Sequence, residues 1–325
     1  MTVVGAVDCG TNSIRLLVAR PGPDGKLVDL HREMRIVRLG QGVDATGQFA
    51  DEAIERTRSA LADYVETMKS LGVQRLRMVA TSATRDAANR DVFFDMTREL
   101  LGSVVGGSEV GGSGEDGAVA EVITGTEEAA LSFRGAVGDL DPAQGPFVVT
   151  DLGGGSTEVV VGEGDRVDAA YSADIGCVRL TERSLHSDPP TPDEIADGQA
   201  FVRSRLAEAF AAVPVEGART WVGVAGTFTT LAALHAGLAT YDPEAIHLSR
   251  VPLTELDELC RTVIAMPRAE RAELGPMHPG RVDVIGGGSL VAIELAGEFA
   301  SRAGISELVV SEHDILDGIA LGLLD

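Results

Sequence analysis

Aromatic residues make up only 4% of the 325-residue chain, so burial cannot rest mainly on rings and falls to Val, Leu, Ile and Ala. Cysteine is as scarce. Cys9, Cys177 and Cys260 form no C-x-x-C pair and are too few for a disulfide framework, which excludes a small secreted scaffold and makes reduced, buried thiols in a cytoplasmic protein the expectation. No run approaches the roughly 18 consecutive apolar residues of a membrane span, and Met1 to Val18 carries Asp8 and Arg15 where a signal peptide would be apolar. The six histidines show neither H-x-H nor H-E-x-x-H spacing, so no zinc motif is offered. Positive charge is short too: 27 Lys and Arg against 50 Asp and Glu leave −23, which argues against general nucleic-acid binding.

What is present is ordinary globular usage, 44% hydrophobic and 24% charged, at a length that suits about two domains. The charge is uneven. Residues 1–125 carry a net −4 and residues 126–325 a net −19, so a polyanion would be expected at the first half or at the seam; an acidic solubilising surface would give the same imbalance.

Strand and helix signals alternate along the chain, which favours an α/β architecture with covered sheets. Residues 3–7 and 14–20 read as strands flanking D-C-G-T-N-S, and 34–39 as a third strand. Residues 51–71 space Ile54, Leu61, Tyr64, Val65, Met68 and Leu71 as one helix face. A strand over 75–80, a helix over 91–101, a strand at VAEVI and a helix over 126–137 follow. Between them, residues 102–117 hold seven Gly and three Ser and read as a loop. The second half repeats the order: FVVTDL as a strand, a meander through Thr157 to Tyr171, and a helix to about Ala212 opened by a capping box at Thr191, Pro192 and Glu194. After Trp221 the reading is largely helical, with a short strand at 308–310 and a terminal helix over 315–324.

The repetition reaches the motifs. VVGAVDCGTNS at 3–13 and FVVTDLGGGST at 147–157 both run an apolar strand into D-x-G and hydroxyl residues. Glycine lets a hairpin backbone approach a phosphate, Ser, Thr and Asn offer donors, and the Asp can hold a metal or its water. One such hairpin could be a tight turn alone; two could bind one polyanion. A third glycine turn, G-V-A-G-T at 223–227, precedes the apolar stretch Leu231 to Leu238 and suits a helix N-terminus as an anion site. G-G-G at 286–288 reads as a packing turn.

With DCGTNSIRLLVA at 8–19, VRLGQGVDATG at 37–47, ATSATRDAAN at 80–89, VITGTEEAALSF at 122–133, DLGGGSTE at 151–158 and SEHDILDG at 311–318, the chain resembles, over nearly its whole length, the exopolyphosphatase and guanosine pentaphosphate phosphohydrolase (Ppx/GppA) family of the actin-like ATPase superfamily, in its short form. The resemblance implies two ribonuclease-H-like domains, about 1–125 and 126–325, an active site in the cleft between them, and a terminal helix packing toward the first. It implies hydrolysis of a terminal phosphoanhydride with Mg²⁺, Mn²⁺ being the other candidate, by water activated by Glu128 of the Thr124-Gly125-x-x-Glu128-Ala129 motif. Phosphoryl transfer asks mainly for positioning and charge neutralisation, which suits such a base; Glu127 would point about 100° away.

By the same matching, Asp8, Asp151 and Glu158 would hold metal, with Glu158 also placing the water. Thr11, Asn12, Ser13, Ser82, Gly153, Gly154, Gly155, Ser156 and Thr157 would bind phosphate, and Arg85 would offset transition-state charge. Arg15, Arg32, Arg35, Arg38, Arg75, Arg77 and Arg90 could extend a track for a phosphate chain. Inorganic polyphosphate, in short chains, is the expected substrate because short members resemble exopolyphosphatases, and guanosine pentaphosphate is the alternative. An actin-like ATPase or kinase, or a polyphosphate sensor, would be further classes. A homodimer that binds neither nucleic acid nor membrane is expected. Residues 102–117 look longer than the usual connection and are expected to form a flap.

Overall fold

A computed structural model describes residues 2–23, 26–104 and 119–325. The expected Gly/Ser-rich flap lies, from residue 105 on, outside the described residues. By its internal contacts the chain divides into a first unit, Met1–Leu131 with Ile315–Asp325, and a second, Ser132–Asp314. The α/β class read from the sequence is observed, with one mixed sheet in each unit.

The first unit has strands β1 (Val4–Cys9), β2 (Ser13–Pro21), β3 (Leu27–Ile36), β4 (Arg75–Ala80) and β5 (Glu121–Val122) in the order β3-β2-β1-β4-β5. β1, β2 and β3 form an antiparallel meander, while β4 and β5 run parallel to β1. Every residue of β1 is buried, because both faces are covered. Val7 and Cys9 join a cluster with Leu61, Tyr64 and Met68 of the Asp51–Ser70 helix. Val4 and Ala6 join another with Ile315, Leu316, Ile319 and Ala320 of the Ile315–Gly322 helix. That helix is pinned by polar bonds as well. Arg32 donates to both oxygens of Asp317, at 3.2 and 2.6 Å, and Arg75 Nη1 to the Leu323 carbonyl at 2.9 Å.

The second unit has β6 (Phe147–Leu152), β7 (Thr157–Glu163), β8 (Arg166–Ala173), β9 (Thr220–Val224), β10 (Ser249–Pro252) and β11 (Glu307–Val310) in the order β10-β11-β9-β6-β7-β8. With β10 set aside, β8-β7-β6-β9-β11 repeats the order and the directions of the first sheet. Its core centres on fully buried Trp221, edge-on to Phe228 at 5.6 Å and tilted against Phe299 at 4.9 Å. The indole N–H donates to Thr150 Oγ1 at 2.8 Å, so no donor is lost by burial. The Pro192–Ala212 helix opens with both halves of the expected capping box: Glu194 N donates to Thr191 Oγ1, and Thr191 N to Glu194 Oε2.

Some elements differ from the sequence reading. β3 begins at Leu27 and ends at Ile36, so the expected strand over 34–39 catches only its end; its charged residues lie on a half-exposed edge where apolar alternation is not required. T-S-A-T-R-D contains a short helix, Ser82–Asp86, and Trp221 sits in a strand. The Ile285–Ala303 helix takes in Gly286 to Gly288, read above as a turn. Among the described residues no helix is long and apolar enough to cross a membrane.

Candidate active site

The expected site residues fall into two sets, one per unit. In the first, Asp8 and Arg15 stand opposite each other on β1 and β2. Arg15 Nε and Nη2 donate to Asp8 Oδ2 at 3.0 and 2.7 Å, with the Asp8 side chain only 6% exposed. The hairpin after Asp8 closes with Gly10 N donating to Ser13 O at 2.9 Å. At the end of β4, Ser82 is buried, and Arg85 follows in the Ser82–Asp86 helix.

Glu128 lies in the first turn of the Gly125–Val137 helix, where a negative charge is favoured by the helix dipole. It is buried, and Arg85 Nη1 donates to its Oε2 at 2.7 Å and to the Ile123 carbonyl at 3.1 Å. Arg85, expected on phosphate, is thus placed on the expected base, whose carboxylate it orients. Thr124 O accepts from Glu128 N, and Thr124 Oγ1 from Glu127 N at 3.2 Å. Glu127 instead pairs with Arg77 at 2.6 Å, which also holds Glu121.

Most of the expected arginine track is engaged within the first unit. Arg15 holds Asp8, Arg32 holds Asp29 and Asp317, Arg35 holds Glu33 and Asp63, Arg75 holds a carbonyl and Arg77 two glutamates. Mutual hydrogen bonding with Asp63 and Glu33 pushes the Arg35 guanidinium pKa up despite some burial.

In the second unit Asp151 and Glu158 are direct cross-strand partners on β6 and β7, so both carboxylates leave the same sheet face. Their residues are 6% and 1% exposed. Ser132 Oγ donates to Asp151 Oδ2 at 2.5 Å, and Ser172 Oγ, next in the row on β8, to Glu158 Oε1 at 2.7 Å. The corresponding row of the first sheet reads Asp8 then Arg15. A cation in one repeat is therefore replaced by a carboxylate in the other, and two neighbouring buried carboxylates are a donor set that favours a shared proton or a hard cation.

The hairpin from Gly153 to Ser156 closes with Gly153 N on Ser156 O at 3.0 Å. Thr157, expected as a phosphate donor, gives its hydroxyl to the Ile175 carbonyl at 2.7 Å and braces the strand end instead.

These features match a known family. A profile of the Ppx/GppA phosphatase family fits residues 17–322. The chain belongs to that family. Exopolyphosphatase 2 of Mycobacterium tuberculosis (strain ATCC 25618 / H37Rv) is 62% identical over 99% of both chains. Among solved structures, an exopolyphosphatase-like protein is 40% identical with a TM-score of 0.88, covering 98% of each chain. The Aquifex aeolicus Ppx/GppA member is 31% identical with a TM-score of 0.78, covering 99% of this chain and 97% of its own.

The sequence reading missed one polar cluster because its members are remote in sequence. Asp139, His247 and His313 offer ligand atoms within 4.8 Å of one another in the second unit. His313 Nδ1 is 2.8 Å and His247 Nε2 3.6 Å from Asp139 Oδ2. Glu312 N–H donates to His247 Nδ1 at 3.2 Å. That bond assigns the ring proton of neutral His247 to Nε2, facing Asp139.

Proposed function

We propose that the protein is an exopolyphosphatase that hydrolyses the terminal phosphoanhydride of inorganic polyphosphate. The observation that carries this reading is the match over 99% of both lengths to a relative named exopolyphosphatase 2. The geometry is suited to the chemistry. Glu128 is a buried carboxylate oriented by Arg85 at the start of a helix, as a general base for an attacking water should be. The Gly10 to Ser13 and Gly153 to Ser156 hairpins supply backbone donors for non-bridging oxygens.

A divalent cation is part of the proposal. The adjacent Asp151 and Glu158 carboxylates of the second unit are hard oxygen donors of the kind Mg²⁺ prefers. When bound, Mg²⁺ would neutralise phosphate oxygen charge as it develops. Ser132 and Ser172 hold the two second-unit carboxylates in place for it.

The test is phosphate release by wild type and Glu128→Ala, with Mg²⁺, from short polyphosphate, long polyphosphate, guanosine pentaphosphate and ATP in parallel. Preference for polyphosphate, lost in the variant, is expected. Preference for guanosine pentaphosphate would move the substrate within the family. Equal rates for the variant and wild type would refute Glu128 as the base. Light scattering on the same preparation reads the expected homodimer.

A further inference from the structure

The two glycine hairpins share a feature that the motif itself does not encode. In the first unit, Gly40 N donates to Thr11 O at 2.8 Å, and Val37 N and Arg38 N donate to Asn12 O at 3.1 and 2.9 Å. In the second, Cys177 N donates to Gly153 O at 3.0 Å, and Val178 N and Arg179 N to Gly154 O at 2.9 and 3.0 Å. Arg179 Nε adds a bond to Gly155 O at 2.8 Å. Both capturing segments leave the third strand of their meander, β3 in one unit and β8 in the other. The internal repeat therefore extends to a contact between segments with no common motif.

A trans peptide holds each carbonyl antiparallel to the N–H of the next residue. Capture of Thr11 O turns the Asn12 amide to the opposite side. Capture of Gly153, Gly154 and Gly155 carbonyls does the same for the amides of Gly154, Gly155 and Ser156. Among the described residues, none of these four amides donates a hydrogen bond within the protein. Gly155 and Ser156 are buried, where backbone donors normally have acceptors, and consecutive amides facing one way form an anion-binding concavity. Since the first amides of the Cys177–Ser184 helix are bonded to the hairpin, that helix end serves as a brace and not as an anion site.

Close approach is built into both braces. A Cβ on Gly40 would lie 2.4 Å from Thr11 Cγ2, and one on Gly176 would lie 2.4 Å from the carbonyl carbon and oxygen of Gly154. Gly176 is extended, with φ −161°, so proximity alone excludes a side chain there. Arg38 sits at φ 52°, a left-handed conformation that a non-glycine residue holds at a cost.

We propose that Val37–Gly40 and Gly176–Arg179 are positioning elements for phosphate recognition, which capture the hairpin carbonyls and so aim the intervening amides at substrate oxygens. This rests on the phosphohydrolase reading above for its substrate, but not for its anion binding. Arg179 and Gly40 are the positioning residues that can be tested singly.

Binding of methylenediphosphonate, whose P–C–P bridge resists hydrolysis, is measured by calorimetry beside KM and kcat for polyphosphate and the thermal midpoint. Arg179→Lys and Gly40→Ala are expected to weaken analogue binding and raise KM by roughly 10-fold or more, the effect of losing or misaligning a charge-assisted donor, with kcat changed much less. Adding Thr11→Ser to Gly40→Ala removes the methyl that the new Cβ meets most closely, with Ala83 Cβ still at 3.0 Å, and should restore part of the affinity. Wild-type analogue affinity and KM in a folded Arg179→Lys variant, with no rescue in the Gly40 pair, would overturn the proposal. If Gly40→Ala does not fold, Arg179→Lys decides alone. Should wild type cleave no phosphoanhydride while the variants still lose analogue binding, the proposed activity fails and the brace stands.

Discussion

Replacing Glu158 with Gln should make the metal-free protein more stable. Asp151 and Glu158 face each other directly across β6 and β7, which sets their Cβ atoms about 5 Å apart. At an effective dielectric constant of about 20, two like charges at that separation repel by about 3 kcal/mol. Burial limits screening, since the residues are 6% and 1% exposed. The Ser172 hydroxyl that donates to Glu158 Oε1 can donate equally to a glutamine oxygen, so the substitution removes the repulsion and keeps the bond. After some loss of charge-assisted hydrogen bonding, a net gain of about 1–3 kcal/mol remains. For a unit of this size that raises the midpoint by roughly 3–9 °C. Thermal melts in chelator and in Mg²⁺ check it: wild type should gain stability from Mg²⁺, and Glu158→Gln should start higher and gain less than half as much. A variant that melts below wild type in chelator, or that keeps the full Mg²⁺ response, refutes both the repulsion and the assignment of this pair as a cation site.

Arg85→Gln should cut kcat by roughly 10–100-fold with little change in KM, because it frees the Glu128 carboxylate from the bond that orients it; steady-state phosphate release reads the split. Ile319→Ala removes a fully buried side chain from the terminal helix and should destabilise the first unit by about 2–4 kcal/mol in urea denaturation. Burial pushes the Cys177 thiol up to about 11 and Cys260 to about 12. Both thiols should therefore resist alkylation at pH 8 in the native protein. Their folded-state values lie above the unfolded one near 8.5, so stability is complete below that pH and should fall by about 1.4 kcal/mol per unit per thiol as pH rises toward 11, a slope that Cys177→Ala flattens in denaturation curves across pH 8–11.

Elements whose boundaries follow from local chemistry were legible in the sequence. The Asp51–Ser70, Asp91–Leu101 and Pro192–Ala212 helices and the β4 and β6 strands lie within a residue or so of their expected ends, because amphipathic spacing, a capping box or a bounded apolar run marks them. The Cys177–Ser184 helix was not legible: it has no side-chain cap, and its first amides are satisfied by a hairpin more than twenty residues earlier. Gly286 to Gly288 misled for a similar reason. They read as a turn, yet they are helical, and Gly287 and Gly288 are glycine because Thr181, Cys177 and Thr227 pack against them. At the site, motif matching named the carboxylates and hairpins as candidates, but that Arg85 lies on Glu128, and that Thr157 bonds to Ile175, depend on tertiary placement.

The first unit takes its last helix from the far end of the chain. During synthesis, the apolar sheet face formed by Val4, Ala6, Leu17, Ala19, Val79 and Ile123 stays uncovered until the residues after 314 leave the ribosome. At about 5–20 residues per second that interval lasts roughly 10–40 s, during which the nascent chain presents a sticky surface while the whole second unit is being made. Holdase chaperones have a ready target there, and a ribosome stalled after the second unit would display an incomplete first unit to quality-control proteases.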